Sequence, residues 1–153
     1  MLTETKVKTK KEIDGKTIKG TATFLTDSDT LVDALATVIN HLNVMKSSHL
    51  IEDADIISCK HSQIKEVATQ FEGDKSYIAT LKDIWIDEVS GDEKAIRYKV
   101  LLYAANLTEC NQRVQELSRE GYDMKVESLT EVEMEYLESV STDSNDTDSG
   151  DQV

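Results

Sequence analysis

The chain has 153 residues, of which 39% are hydrophobic, and a formal net charge of −13. This length is enough for one folded domain whose apolar core needs neither disulfides nor metal ions. No apolar run approaches the roughly 20 residues that span a membrane, which excludes a helical membrane protein. The cysteines Cys59 and Cys110 are far apart, and the N-terminal residues contain no apolar secretory segment. These features predict a cytoplasmic protein.

The charge is unevenly distributed along the chain. Residues 1–20 carry six lysines and three acidic residues, a net charge of +3. Residues 121–153 carry ten acidic residues and one lysine, a net charge of −9. A chain this acidic repels a nucleic-acid backbone overall, although its basic N-terminal segment could still contact one locally.

The first half of the sequence predicts two strands, a helix and a third strand within residues 5–68. Polar and apolar residues alternate on both sides of a turn at Gly15, which is typical of a hairpin with one buried face. Residues 27–29 are favourable N-cap residues, and apolar residues at helical spacing follow them. The predicted buried stripe contains Val32, Leu35, Ala36, Ile39 and Leu42, widened by Leu31, Val38 and Met45. Residues 54–59 are predicted to close this half as a strand.

The second half repeats this order within residues 76–138. Alternating residues on both sides of Gly91 predict a second hairpin. Asn106 and Glu109 have the spacing of a capping box, in which each side chain bonds a free amide at the start of a helix. The apolar stripe of that helix contains Leu107, Cys110, Val114 and Leu117. Residues 125–135 predict the closing strand.

The two halves can be aligned, which predicts an internal repeat. Placing Ser28 over Asn106 aligns the helices, and residues 56–58 match residues 126–128 after a shorter connection. Each repeat of about 65 residues is marginally stable alone, so we expect both to pack as one domain, residues 1–140. The predicted fold is α+β, with two pseudo-repeated strand–strand–helix–strand units and a largely antiparallel sheet. Either a six-stranded sheet or a paired-sheet core fits this pattern.

Residues 141–153 differ in composition from the rest of the chain. They contain four acidic residues and one apolar residue. Such a segment buries too little apolar surface to offset the entropy lost on ordering. It is predicted to be a disordered acidic C-terminal tail.

Four segments give the sequence a resemblance to a known family. They are KKEIDGK at residues 10–16, TLVDA at 30–34, FEGD at 71–74, and IDEVSGDEK at 86–94, which an apolar strand follows. In these segments the chain resembles a family catalogued as domain of unknown function 4494, found in Bacteroidetes and their phages. The resemblance extends to residue 140. It implies a cytoplasmic α+β protein with no assigned activity, and it supplies no catalytic residues.

Cysteine and histidine residues offer one candidate metal site. Cys59 and His61 are two residues apart on a predicted strand, and with Cys110, His41 or His49 they could form a tetrahedral zinc site. Zinc sites usually show paired cysteine or histidine spacing, which is absent here. Cys110 also lies on an apolar helical stripe, where cysteine acts as a small hydrophobic residue. We therefore predict no metal ligand.

Three glutamates offer a candidate catalytic or cation site. Glu131, Glu133 and Glu135 share one face of the predicted closing strand, about 6.6 Å between neighbours. Carboxylates at this distance can perform acid–base chemistry or bind a hard cation. The simpler interpretation is a solvated edge strand whose charges prevent pairing with other chains. The scattered glycines form no phosphate-binding loop, so no catalytic or cofactor-binding residue is predicted.

The basic N-terminal hairpin is the remaining candidate site. Lysines beside stacking aromatic residues are typical of single-stranded nucleic-acid binding. The candidate contacts are Lys6, Lys8, Lys10, Lys11, Lys16, Trp85 and Lys99. The acidic tail could then compete with nucleic acid for the same groove. In the simpler interpretation, which we favour, lysines on an edge hairpin only keep it soluble.

These observations favour a non-enzymatic cytoplasmic accessory protein without a cofactor. We expect it to bind a protein partner or to self-associate through unpaired sheet edges, and the resemblance implies a relation to phages. The alternative is a single-stranded nucleic-acid-binding protein with the acidic tail as an internal competitor. No membrane association is expected.

Overall fold

The computed structural model describes residues 1–117 and 125–138 of the chain. These residues form two helices and eight strands in two four-stranded sheets, which confirms the predicted α+β class with largely antiparallel pairing. The six-stranded alternative is wrong. No described helix is both long and apolar enough to span a membrane. The predicted acidic tail lies outside the described residues.

The elements follow one another in the predicted order, with two additional short strands. They are β1 (Leu2–Ile13), β2 (Lys16–Asp27), α1 (Leu31–Ser47), β3 (Asp53–His61), β4 (Ile64–Val67), β5 (Lys75–Ile86), β6 (Glu93–Ala104), α2 (Leu107–Leu117), β7 (Lys125–Val132) and β8 (Met134–Leu137). The described residues divide into two compact units, one made of residues 1–62 and 135–138, the other of residues 63–117 and 125–134. The interpretation of residues 1–140 as one domain stays a prediction.

In the first unit, α1 packs on one face of a sheet with the strand order β3–β1–β2–β8. β1 and β2 form an antiparallel hairpin whose two-residue turn, Asp14 and Gly15, has positive φ at both positions, as a type I′ turn requires. β3 pairs antiparallel with the other side of β1. The core contains Val7, Phe24, Val38, Leu42, Ile51 and Leu137. β1 is therefore an interior strand, and the expectation of an edge hairpin is wrong for this strand.

In the second unit, α2 packs on one face of a sheet with the strand order β4–β6–β5–β7. β5 pairs antiparallel with β6 and β7, whereas β4 pairs parallel with β6. The buried core residues are Ala68, Tyr77, Ala79, Leu81, Val100, Leu102, Ala104, Cys110, Val114 and Leu117. The predicted stripe of α2 is confirmed for Cys110, Val114 and Leu117, whereas Leu107 is exposed.

The short strands β4 and β8 show how the two repeats are joined, and the sequence did not predict them as separate strands. β4 begins three residues after the end of β3, yet it joins the sheet of the second unit beside β6. β8 follows β7 after Glu133 alone, yet it joins the sheet of the first unit beside β2. Each sheet therefore receives its fourth strand from the end of the other repeat.

The helix caps correct the predicted alignment of the repeats. The Thr30 side chain accepts a hydrogen bond from the Asp33 N–H at 3.1 Å, so Thr30 and not Ser28 is the N-cap of α1. In α2, Asn106 accepts from the Glu109 N–H at 2.9 Å, and the Glu109 carboxylate accepts from the Ala105 N–H, much as the capping box predicted. Thr30 therefore corresponds to Asn106, which shifts the helical alignment by two residues.

The closing strands keep the alignment that the sequence predicted. In the first unit the β1–β3 register shifts between Lys6 and Val7, which leaves Ile57 as an extra residue in β3. In the second unit the β5–β7 register shifts between Thr80 and Leu81, which leaves Glu127 as an extra residue in β7. A β-bulge at matching positions is a specific structural feature of the repeat.

α1 buries a face that overlaps the predicted stripe only in part, at Val38 and Leu42. Its buried residues are Ala34, Thr37, Val38 and Leu42. Val32 is 75% exposed and Ile39 is 41% exposed, so the predicted stripe is wrong for these residues. The opposing sheet contributes the small residues Ala22 and Ala54 to this core, which suits close packing against the smaller side chains of the helix.

The contrast between two valines of α1 tests this packing. Val38→Ala removes buried methyl groups and should lower the free energy of unfolding by about 2 kcal/mol. Val32→Ala, the matched control, should change it by less than about 0.5 kcal/mol, because that side chain is exposed and alanine favours helix. Urea unfolding of both variants measures the difference, and equal losses would contradict the assigned helix face.

Candidate functional site

The sheet of the first unit carries a row of lysines on the face opposite α1. Val7 points into the core that α1 covers, so Lys6, Lys8 and Lys10 point to the other face, where all three are exposed. Their cross-strand partners are Thr23, Thr21 and Lys19 in β2, and Ser58, Asp55 and Asp53 in β3. We call Lys6, Lys8, Lys10 and Lys19 the lysine face.

A groove of about 430 Å³ lies along the lysine face. Its lining residues are Lys8, Thr9, Lys10, Lys19, Gly20, Thr21, Asp53, Ala54 and Asp55. Asp53 Oδ1 lies 4.0 Å from Lys46 Nζ and accepts a hydrogen bond from the Ala54 N–H at 2.9 Å. The groove can therefore donate and accept hydrogen bonds, but its two carboxylates oppose a phosphate group there.

The structure brings together only three of the predicted nucleic-acid contacts. Lys6, Lys8 and Lys10 form one row, and no described carboxylate lies within 4.0 Å of their amino groups. Lys11 and Lys16 lie at the end of the same hairpin but alternate onto its opposite face, on the side of α1.

Trp85 and Lys99 belong to the second unit and lie on opposite faces of the β5–β6 hairpin. Trp85 pairs across the strands with Lys94 and is 41% exposed. Lys99 Nζ donates a hydrogen bond to the Gln63 side chain at 3.2 Å. These two residues therefore form no common stacking surface, because one hairpin face cannot present both.

In the second unit, two basic residues of the β5–β6 hairpin share one carboxylate. Glu127, the bulge residue of β7, accepts a hydrogen bond from Arg97 Nε at 2.8 Å and lies 3.9 Å from Lys82 Nζ. The hydrogen bond from Arg97 lowers the pKa of Glu127, and the same bond raises the pKa of Arg97. On the lysine face, Asp55 and Asp53 lie across the strands from Lys8 and Lys10, but no described carboxylate lies within 4.0 Å of a lysine amino group.

The candidate zinc ligands lie in different environments. Cys59 is half-buried in β3, where its Sγ accepts a hydrogen bond from Thr5 Oγ1 at 3.5 Å. Cys110 is buried in the core of the second unit, and burial raises the pKa of its thiol to about 11. Within residues 1–117 and 125–138, no three His, Cys, Asp or Glu side chains are grouped to hold a metal ion.

The three glutamates near the C-terminus do not share a strand face. Glu131 lies in β7 and Glu135 in β8, which belong to different sheets, and Glu133 lies between them. The prediction is wrong because the chain leaves one sheet and joins the other at Glu133. Glu135 Oε2 instead lies 3.4 Å from His41 Nε2. The His41 ring packs edge-on against the Phe24 ring, with 5.3 Å between the ring centroids.

α1 exposes an apolar stripe whose residues were predicted to be buried. Leu31, Val32, Leu35, Ala36 and Ile39 make up this helix stripe, which lies beside the buried face of α1; Leu35 is half-buried and the others are exposed. The sequence did contain a signal for it. Apolar residues cover more of the circumference of α1 than a single sheet contact can bury.

The different environments of the two thiols predict different reactivities. At about pH 8 the Cys110 thiol is protonated and buried, so it should react with Ellman's reagent only when the protein unfolds. The half-buried Cys59 should react in the folded protein. Absorbance at the thionitrobenzoate band, in native buffer and in denaturant, measures both reactions. In Cys59→Ser the native reaction should disappear, and a reaction that persists would contradict the assignment.

Comparison with known proteins agrees with the resemblance noted in the sequence. No curated protein matches the chain. The family model described as Domain of unknown function (DUF4494) matches residues 1–144, a range that includes every described strand and helix. The chain therefore belongs to the DUF4494 family.

Proposed function

We propose that this chain is a non-enzymatic cytoplasmic accessory protein that works by binding another protein molecule, either a different protein or a second copy. The observation that carries the proposal is the exposed helix stripe of α1. Its exposed apolar side chains lie on one helix face instead of being scattered singly over the surface. Grouped exposed apolar residues mark interaction sites, whereas single ones are normal.

The spacing of the helix stripe indicates the kind of partner that fits. Val32, Leu35, Ala36 and Ile39 occupy positions i, i+3, i+4 and i+7 of α1. These are the anchor positions with which a helix binds an apolar groove on another protein. The partner surface should therefore be an apolar groove, and burial of the stripe supplies the driving force.

The borders of the stripe fit the same interpretation. The neighbouring exposed positions Asp33, Asn40 and Asn43 are polar, which resembles an apolar interface core with a polar rim. Both cysteines are free thiols, which fits a reducing compartment.

Charged substitutions in the helix stripe test the proposal. Val32→Asp with Ile39→Asp places carboxylates at two anchor positions and should weaken partner capture by about tenfold or more. The matched control is Asn40→Asp with Val44→Asp, which adds the same charges to exposed positions of α1 outside the stripe. Quantitative capture from a host lysate, with each variant immobilised, measures the loss for each captured protein.

Both variants should keep the melting temperature of the parent within a few degrees, because all four positions are exposed and none belongs to the core of the first unit. Equal capture by the stripe variant, its control and the parent would contradict the proposal.

Single-stranded nucleic-acid binding is the second candidate function, and the lysine face favours it. Lys6, Lys8 and Lys10 repeat at alternate positions of a rigid interior strand, about 6.6 Å apart, with exposed amino groups. Hydroxyl groups of Thr21, Thr23 and Ser58 lie across from them on neighbouring strands. Asp53 and Asp55 on the same face weaken the attraction for phosphates, which places this candidate second.

A charge-reversal series tests the second candidate. Reversing Lys6, Lys8 and Lys10 to Glu should abolish binding of a fluorescent single-stranded oligonucleotide, whereas reversing Lys65, Lys75 and Lys125 should leave it. Three phosphate contacts predict a slope near −2 in a plot of log affinity against log salt. Deleting residues 141–153 should tighten binding, because four acidic residues are removed. Anisotropy titrations measure all three effects, and no binding by the truncated protein would eliminate this candidate.

A further inference from the structure

The ends of the two hairpins extend beyond the strands that flank them. β3 pairs with β1 only from Thr3 to Lys10, so residues 11–13 have no described strand on that side. β7 pairs with β5 only from Ser76 to Lys82, and β4 reaches β6 only from Lys99 to Leu101. Residues 83–86 and 93–96 therefore form a two-stranded ribbon among the described residues.

The two hairpin ends carry opposite charges. Residues 10–19, the basic ribbon, contain four lysines and two acidic residues, a net charge of +2. Residues 83–97, the acidic ribbon, contain five acidic residues, one lysine and one arginine, a net charge of −3. In the described chain, none of the ribbon residues except Arg97 lies within 4.0 Å of an oppositely charged group.

One face of the basic ribbon combines isoleucines with lysines. Ile13 lies opposite Lys16, and Lys11 lies opposite Ile18, so all four side chains share the face on the side of α1. Both isoleucines are exposed. Lys11 and Lys16 are exposed as well, and the Asp14–Gly15 turn ends this face.

One face of the acidic ribbon has the complementary composition. Ile86 lies opposite Glu93, and Ile84 lies opposite Ala95, so these four side chains share the face away from α2. Ile86 is 68% exposed. The turn that follows adds further carboxylates. Asp87 orders this turn with two hydrogen bonds. Its side-chain Oδ1 accepts from the Val89 N–H at 2.9 Å, and its backbone carbonyl accepts from the Gly91 N–H at 2.7 Å.

We propose that the basic ribbon of one copy of this chain packs on the acidic ribbon of a second copy. Ile13 and Ile18 cover Ile84 and Ile86, while Lys11 and Lys16 face Glu93 and the carboxylates of the neighbouring turn. The inference rests on the proposed function, protein binding, and names a second copy as the partner and the ribbons as the surface. A closed pair of copies makes this contact twice.

Charge decides the pairing of the ribbons. Two basic ribbons, or two acidic ribbons, would place like charges together, which costs free energy and disfavours those arrangements. A basic ribbon on an acidic ribbon gains both apolar burial and charge complementarity. Every molecule carries both surfaces, so a second copy satisfies the chemistry without any further component.

Charge-swap variants of the full chain test the inference. Lys11→Glu with Lys16→Glu reverses the basic ribbon, and Asp92→Lys with Glu93→Lys reverses the acidic ribbon. Each variant alone should associate at least about tenfold more weakly than the parent, because like charges then meet. An equimolar mixture should recover association, because each contact again joins opposite charges. Sedimentation velocity up to about 200 μM, where weak interfaces associate, measures the assembly.

A control variant and the possible results distinguish a failure of the ribbon contact from a failure of the proposed function. Lys65→Glu with Lys75→Glu changes the charge equally at exposed positions outside both ribbons, so it should associate like the parent. A parent that stays monomeric, or a mixture that does not recover, overturns the inference. The proposed function survives either result if Val32→Asp with Ile39→Asp still removes a captured partner. If only Val32→Asp with Ile39→Asp abolishes self-association, and the ribbon variants do not, the ribbon contact is overturned and the proposed function stands.

Discussion

The hydrogen bonding of the two short strands to the hairpins is the constraint on which the rest of the structure depends. β4 pairs with β6, and β8 lies beside β2, so the second strand of each hairpin becomes interior. Each short strand also contributes a buried apolar side chain, Ile64 in β4 and Leu137 in β8, and Leu137 belongs to the core of the first unit. The edges of the sheets therefore fall on β3, β8, β4 and β7, and the lysines of β1 occupy a rigid interior strand instead of a pairing edge.

The fold separates surfaces with different chemistry. In the first unit, the face of the sheet away from α1 is polar and basic, whereas α1 itself exposes an apolar stripe. The ends of the hairpins carry apolar side chains with charges of opposite sign, and the flanking strands stop before them. Among the described residues no group of potential metal ligands occurs, and the two thiols are dispersed.

Much of the local structure could be predicted from particular residues. The Asp14–Gly15 turn, the Asn106 cap with Glu109, and the alternation of β5 and β6 specify their own conformations through local sterics and hydrogen bonds. The sequence also placed the lysine row on one strand face. It did not predict β4 and β8, because a four-residue strand is too short to show a periodicity.

The sequence by itself determined the element types, the two hairpins, the repeat and the charge distribution, because these depend on neighbours in the chain. Only the tertiary structure decided which side of α1 is buried, since two apolar stripes compete and the small residues of the sheet favour Ala34 and Val38. It also decided that Glu131 and Glu135 join different sheets. Strand pairing between distant segments depends on tertiary contacts, which the residue pattern within one segment does not specify.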